Sequence, residues 1–151
     1  MSVPEVRARR LIIGIGNPSR GDDAVGPLAI ERLEALNLAD VDLLTDFQLQ
    51  VEYLLDMAGR ERVVFIDATL DPGVSSFAYA PIRAQLDHSF SSHELSPPAL
   101  LAAYERHYQS PPPPCDVLAI RGHGFELGAG LSPETSAHFE AALAFLRQRL
   151  E

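Results

Sequence analysis

A chain of 151 residues with one cysteine, Cys115, has no internal disulfide and no zinc cage built from several thiolates. The shortage fits a reducing compartment. Basic residues are also few: 12 Lys and Arg stand against 21 Asp and Glu, a formal net charge of −9. Nucleic-acid phosphates require the opposite balance, so no nucleic-acid partner is expected, whereas a cation or a cationic partner is favoured. No apolar run is long enough to span a membrane. Arg7, Arg9 and Arg10 precede LIIGIG as they would in a signal peptide, but that run is too short and soon meets Arg20, Asp22 and Asp23. A cytoplasmic location with no membrane partner is expected. There is no internal repeat, and the prolines at 111–114 read as a stiff extended connector, not a domain linker. One domain, 1–151, is long enough to bury a core without staples.

What is present is a regular alternation of strand and helix patterns. Residues 11–15 are a short apolar run stopped by Gly16-Asn17-Pro18, the pattern of a buried parallel strand. From Ala24, Val25, Leu28, Ala29, Leu33 and Leu36 recur at helical spacing. Strands are predicted at 41–45, with Asp46 just after, at 62–67 (RVVFID), and at 76–82, where Pro81 requires an edge or a strand end. A helix is predicted over 51–57. Ser96-Pro97 supplies an N-cap and a first-turn proline for another, reaching about Tyr108. A last strand follows at 116–121. Ser132-Pro133 then caps a final helix with Phe139, Leu143, Leu146 and Leu150 on one stripe. The fold class implied is α/β: a three-layer sandwich around a twisted, mostly parallel sheet.

The chemistry gathers at strand ends. Gly14-Ile15-Gly16 after a strand suggests a dinucleotide loop, but the third glycine of that fingerprint is missing, with Ser19 in its place, and no P-loop Lys-Ser/Thr follows. Asp22 and Asp23 adjoin the helix start, where Asp22 is expected to cap and Asp23 to project into a cleft. Asp67 ends the third strand and His93 lies in the loop after the fourth. Ligands of doubly wound sheets bind beyond the carboxyl ends of the strands, where strand order reverses. In flavodoxin-like order the first and third strands are neighbours there, so Asp23 and Asp67 would face one crevice. Two carboxylates and one imidazole suit zinc or nickel in a Lewis-acid role. His88 competes with His93 as the imidazole. His123, in GHGFELG, follows the last strand at the same edge, while His107 and His138 are expected on solvated helix faces. Cys115 reads as core, and no Gly-x-Ser-x-Gly elbow accompanies Ser91 and Ser92.

The blocks GIGNPSRGDDAVG, VVFIDATLDPG, SSHELS and FELGAGLSPE occur in that order and resemble the hydrogenase maturation proteases. These endopeptidases trim the large subunit of [NiFe] hydrogenases. The resemblance implies a phosphorylase/hydrolase-like sandwich with a five-stranded sheet. It places the family's metal-contacting and catalytic residues on Asp23, Asp67 and His93, choosing Asp23 over Asp22. It also implies substrate recognition by Asp46, to which His123 is joined as a second candidate. The implied partner is the [NiFe] hydrogenase large-subunit precursor, whose C-terminal extension is removed once nickel is inserted. The metal is then nickel carried by the substrate, although zinc or another divalent ion suits the same ligands. FQLQVE after Asp46 departs from the glycine-rich segment of better-known members. RGHGFELG looks like the variant that accompanies bidirectional, NAD-linked hydrogenases. The non-catalytic rival is a nickel-dependent chaperone that recognises the precursor without cutting it.

Overall fold

The computed structural model describes residues 7–85 and 95–151. Five strands, β1 (Arg10–Ile15), β2 (Val41–Asp46), β3 (Arg62–Thr69), β4 (Phe77–Ile82) and β5 (Cys115–Arg121), form one sheet in the order β2-β1-β3-β5-β4. All neighbouring pairs are parallel except β4 with β5. Among the described residues four α-helices cover it: α1 (Val25–Glu34), α2 (Tyr53–Met57), α3 (Pro97–Tyr108) and α4 (Pro133–Leu150).

Side-chain alternation divides the core in two. Ile12, Val64, Ile66, Leu118 and Ile120 point to the side covered by α1 and α4, where they meet Val25, Ile30, Phe139 and Leu146. Leu11, Ile13, Val63, Phe65 and Cys115 point to the other side, under Leu54 and Met57 of α2 and Leu100, Leu101 and Tyr104 of α3. Strands apolar on both faces require two layers of helices, and the expected three-layer sandwich is what forms.

Local signals account for most boundaries. Ser96 accepts a hydrogen bond from Ala99 N–H at the start of α3, and Ser132 accepts one from Thr135 N–H at the start of α4. Each is followed by a proline in the first turn, where no N–H is needed. β4 is the outermost strand, consistent with Pro81.

Three details differ from the sequence expectation. β3 continues two residues past Asp67, because Ala68 and Thr69 keep pairing with Ile120 and Arg121 of β5. The second helix spans only Tyr53–Met57, with Val51 and Glu52 in the turn before it. The strand order also departs from the flavodoxin-like one beyond β3. Residues 70–76 are too few for the helical crossover that a parallel β4 would need, so β4 runs antiparallel at the far edge and β5 lies beside β3.

Candidate functional site at the carboxyl edge of the sheet

The loop after β1 is shaped by the backbone of its own far end. Gly16 has φ +146°, and a Cβ there would lie 2.0 Å from the carbonyl oxygen of Asp23. A Cβ on Gly14 would lie 2.4 Å from the carbonyl of Gly26 in α1 and 2.6 Å from Ile30. The two glycines therefore let α1 and its lead-in turn press onto β1.

Asp22 and Asp23 lie in a single 3-10 turn, Gly21–Ala24, that leads into α1. Neither caps α1, whose start has no side-chain cap. Asp22 is buried, at 1% exposure, and reaches across the molecule instead. It accepts hydrogen bonds from the N–H groups of His123 (2.8 Å), Gly124 (3.1 Å) and Ser132 (2.8 Å) and from the hydroxyls of Ser132 (3.0 Å) and Thr135 (2.7 Å). Burial pushes this carboxyl up. The donors from Ser132, His123 and Thr135 outweigh it and hold the pKa at about 2. The expected cap thus serves the start of α4 and the loop after β5, not its own helix.

Asp23, half-buried, faces the other way. Its Oδ2 accepts Asn17 N–H at 2.8 Å, and Oδ1 has no hydrogen-bond donor among the described residues. The turn that carries it packs against β3. Asp67 lies on that strand, opposite Ala119 of β5, with its Oδ1 accepting the N–H of Ala68 at 2.8 Å. Ile15 of β1 is opposite Asp46 of β2, and Gly14 is opposite Ile66 of β3, so the next position on β3 is Asp67. Asp46, Ile15 and Asp67 therefore form one row across three strands, on the α2/α3 side of the sheet at its carboxyl edge. Asp46 accepts hydrogen bonds from its neighbour Phe47 N–H (2.7 Å) and from Tyr53 Oη (2.7 Å). Burial and that carboxylate raise the Tyr53 phenol pKa. His93 and its competitor His88 lie outside the described residues; the chain returns at Leu95, which bridges Leu49 just past β2. Among the described residues, no three acidic, histidine or cysteine side chains converge as a metal site.

No family model matches the chain. A curated relative does: hydrogenase 2 maturation protease of Escherichia coli K12 is 28% identical over 142 residues, covering 89% of this chain and 86% of that protein. The solved structure of the [NiFe] hydrogenase maturation protease HycI from Thermococcus kodakarensis superposes with a TM-score of 0.75. It is 26% identical and covers 97% of this chain and 94% of that one. Over nearly its whole length this chain is similar in sequence and fold to hydrogenase maturation proteases. The fold likeness extends to the hydrogenase maturating endopeptidase HybD of Escherichia coli, with a TM-score of 0.70 at 24% identity over 93% of each chain.

Three further features of this chain bear on its edge. Cys115 is buried and its Sγ donates to Pro113 O at 3.1 Å; burial, with Asp116 beside it, pushes the thiol up to about 12. It is a core residue and no nucleophile, as its position suggested. Phe47, Val51, Leu70 and Leu127, all large and more than half exposed, follow the carboxyl ends of β2, β3 and β5. Single apolar residues in loops carry no sequence signal, and only the topology groups these. His138 was expected on a solvated face, yet it is half-buried and its ring meets that of His123. Fifteen residues separate the two, a spacing that no motif would flag. His107 does stay on an exposed face, edge-on to Tyr108.

Proposed function

We propose that this chain is a hydrogenase maturation protease, the endopeptidase that removes the C-terminal extension of a nickel-loaded [NiFe] hydrogenase large-subunit precursor. The observation that carries the site is the delivery of Asp23, on the turn after β1, and of Asp67, on the adjacent β3, to the carboxyl edge, with one oxygen of Asp23 left without a donor among the described residues. In this reading Asp23, Asp67 and His93 contact the nickel carried by the substrate. An incomplete set of two carboxylates and an imidazole binds a metal weakly alone but completes a shell the substrate has begun. The nickel, as part of the substrate, then polarises the scissile carbonyl or activates water.

Asp46, held by Tyr53 in the same row, positions the precursor. The exposed Phe47, Val51, Leu70 and Leu127 supply apolar contacts for its polypeptide. Among the described residues no helix is long and apolar enough to cross a membrane. With the single buried cysteine, this is consistent with maturation in the cytoplasm.

The test is to mix the purified chain with nickel-loaded precursor and follow the substrate's mass. Loss of the C-terminal segment supports the protease. A stable complex of unchanged mass would overturn the reading in favour of a chaperone.

A further inference from the structure

The proposed proteolysis leaves the imidazole pair past β5 without a role. His123 Nε2 and His138 Nε2 face each other at 3.5 Å, with ring centroids 5.6 Å apart and planes inclined by 36°. A good hydrogen bond between two imidazoles brings its nitrogens to about 3 Å. Two nitrogens that each lie about 2.05 Å from one tetrahedral zinc are about 3.4 Å apart. The observed separation is long for the first arrangement and right for the second.

We propose that His123 and His138 form a divalent-cation site for a borderline metal such as Zn²⁺ or Ni²⁺, distinct from the Asp23/Asp67 edge site and independent of the proteolytic reading. Imidazole is a ligand suited to these ions. The pair is also pre-positioned. The Asp22 carboxylate holds the backbone of His123 through its N–H, and holds the first turn of α4 through Ser132 N–H and Thr135 Oγ1. One buried anion thus fixes both ligand-bearing elements, which lowers the ordering cost of binding. His123 is exposed and His138 half-buried, so a cation reaches the pair from solvent and keeps positions open for water or a further ligand. Glu134 lies one helical turn before His138, and the net charge of −9 attracts cations to the surface generally.

Metal-stripped full-length protein titrated with Zn²⁺ alone tests this, by calorimetry and by long-range ¹H–¹⁵N spectra of the histidine rings. The Nε2 signals of His123 and His138 are expected to move together along one saturation curve. His123→Ala and His138→Ala should each weaken that event at least tenfold, while Asp67→Asn leaves it in place. The backbone bond from His123 to Asp22 survives either substitution, and circular dichroism of the metal-free variants checks the fold. Zinc affinity unchanged in either variant, or shifts confined to other histidines, would overturn the proposal.

Discussion

Asp22 and Asp23 are chain neighbours with opposite surroundings, and their substitutions should separate stability from activity. Asp22 is encased by donors, and its carboxyl titrates at about 2 in the folded chain against 3.8 for an ordinary aspartate. As pH falls, the unfolded chain therefore takes up the proton first. The stabilisation by Asp22 is complete above about pH 4 and is lost between about pH 4 and pH 2, a difference of roughly 2 kcal/mol. Asp22→Asn should lower the unfolding free energy by about 2 kcal/mol at pH 7, and the gap to wild type should narrow as pH approaches 2. Urea unfolding across that range measures both. Asp23→Asn keeps an oxygen for Asn17 N–H, so it should cost about 1 kcal/mol or less. It should nevertheless abolish trimming of the precursor, as should His93→Ala; normal accumulation of trimmed large subunit in either variant would sink the edge-site assignment.

At the scale of elements, the strand-to-helix unit β1–α1 depends on the absence of two methyl groups. Gly14→Ala places a Cβ against the α1 backbone and Ile30. Gly16→Ala places one against the Asp23 carbonyl, at a φ that L-residues rarely adopt. Backbone cannot rotate aside as a side chain can, so each should destabilise the fold by about 2 kcal/mol or more. The two differ in reach. Gly16→Ala moves the turn that carries Asp23 and should lower kcat even at temperatures where the variant stays folded, which kinetic assays well below its melting temperature would show. The start of α4 is the second dependent element, since Ser132 caps it and also donates to Asp22. Ser132→Ala removes both contacts and should cost about 1–2 kcal/mol in thermal or urea unfolding.

At the scale of the whole molecule, the sheet brings acidic side chains and exposed apolar ones to the same edge. Phe47→Ser and Leu127→Ser change residues more than half exposed, so melting temperature should hold. KM for the precursor should rise about fivefold, equivalent to about 1 kcal/mol of lost apolar contact, with kcat unchanged; an unaltered KM in both would remove that surface from the substrate path. The alternation of strands and helices, the Ser-Pro helix starts and the placing of Asp46 and Asp67 at the ends of strand patterns were all legible in the chain. They depend on periodicity and capping, which act within a few residues. Which residues share the edge was a matter of strand order, and the short 70–76 connection decided where β4 and β5 would go. Asp22 read as a local cap because a sequence shows only neighbours; its donors lie more than 100 residues away, on the loop after β5 and the first turn of α4. The same long-range contact sets His123 against His138. By itself the sequence determined the layers, the Ser-Pro helix starts and the acidic loop after β1. Only the tertiary structure decided that one aspartate is a buried tie while its neighbour stays half-buried and turned away from it, because that depends on where distant backbone donors come to rest.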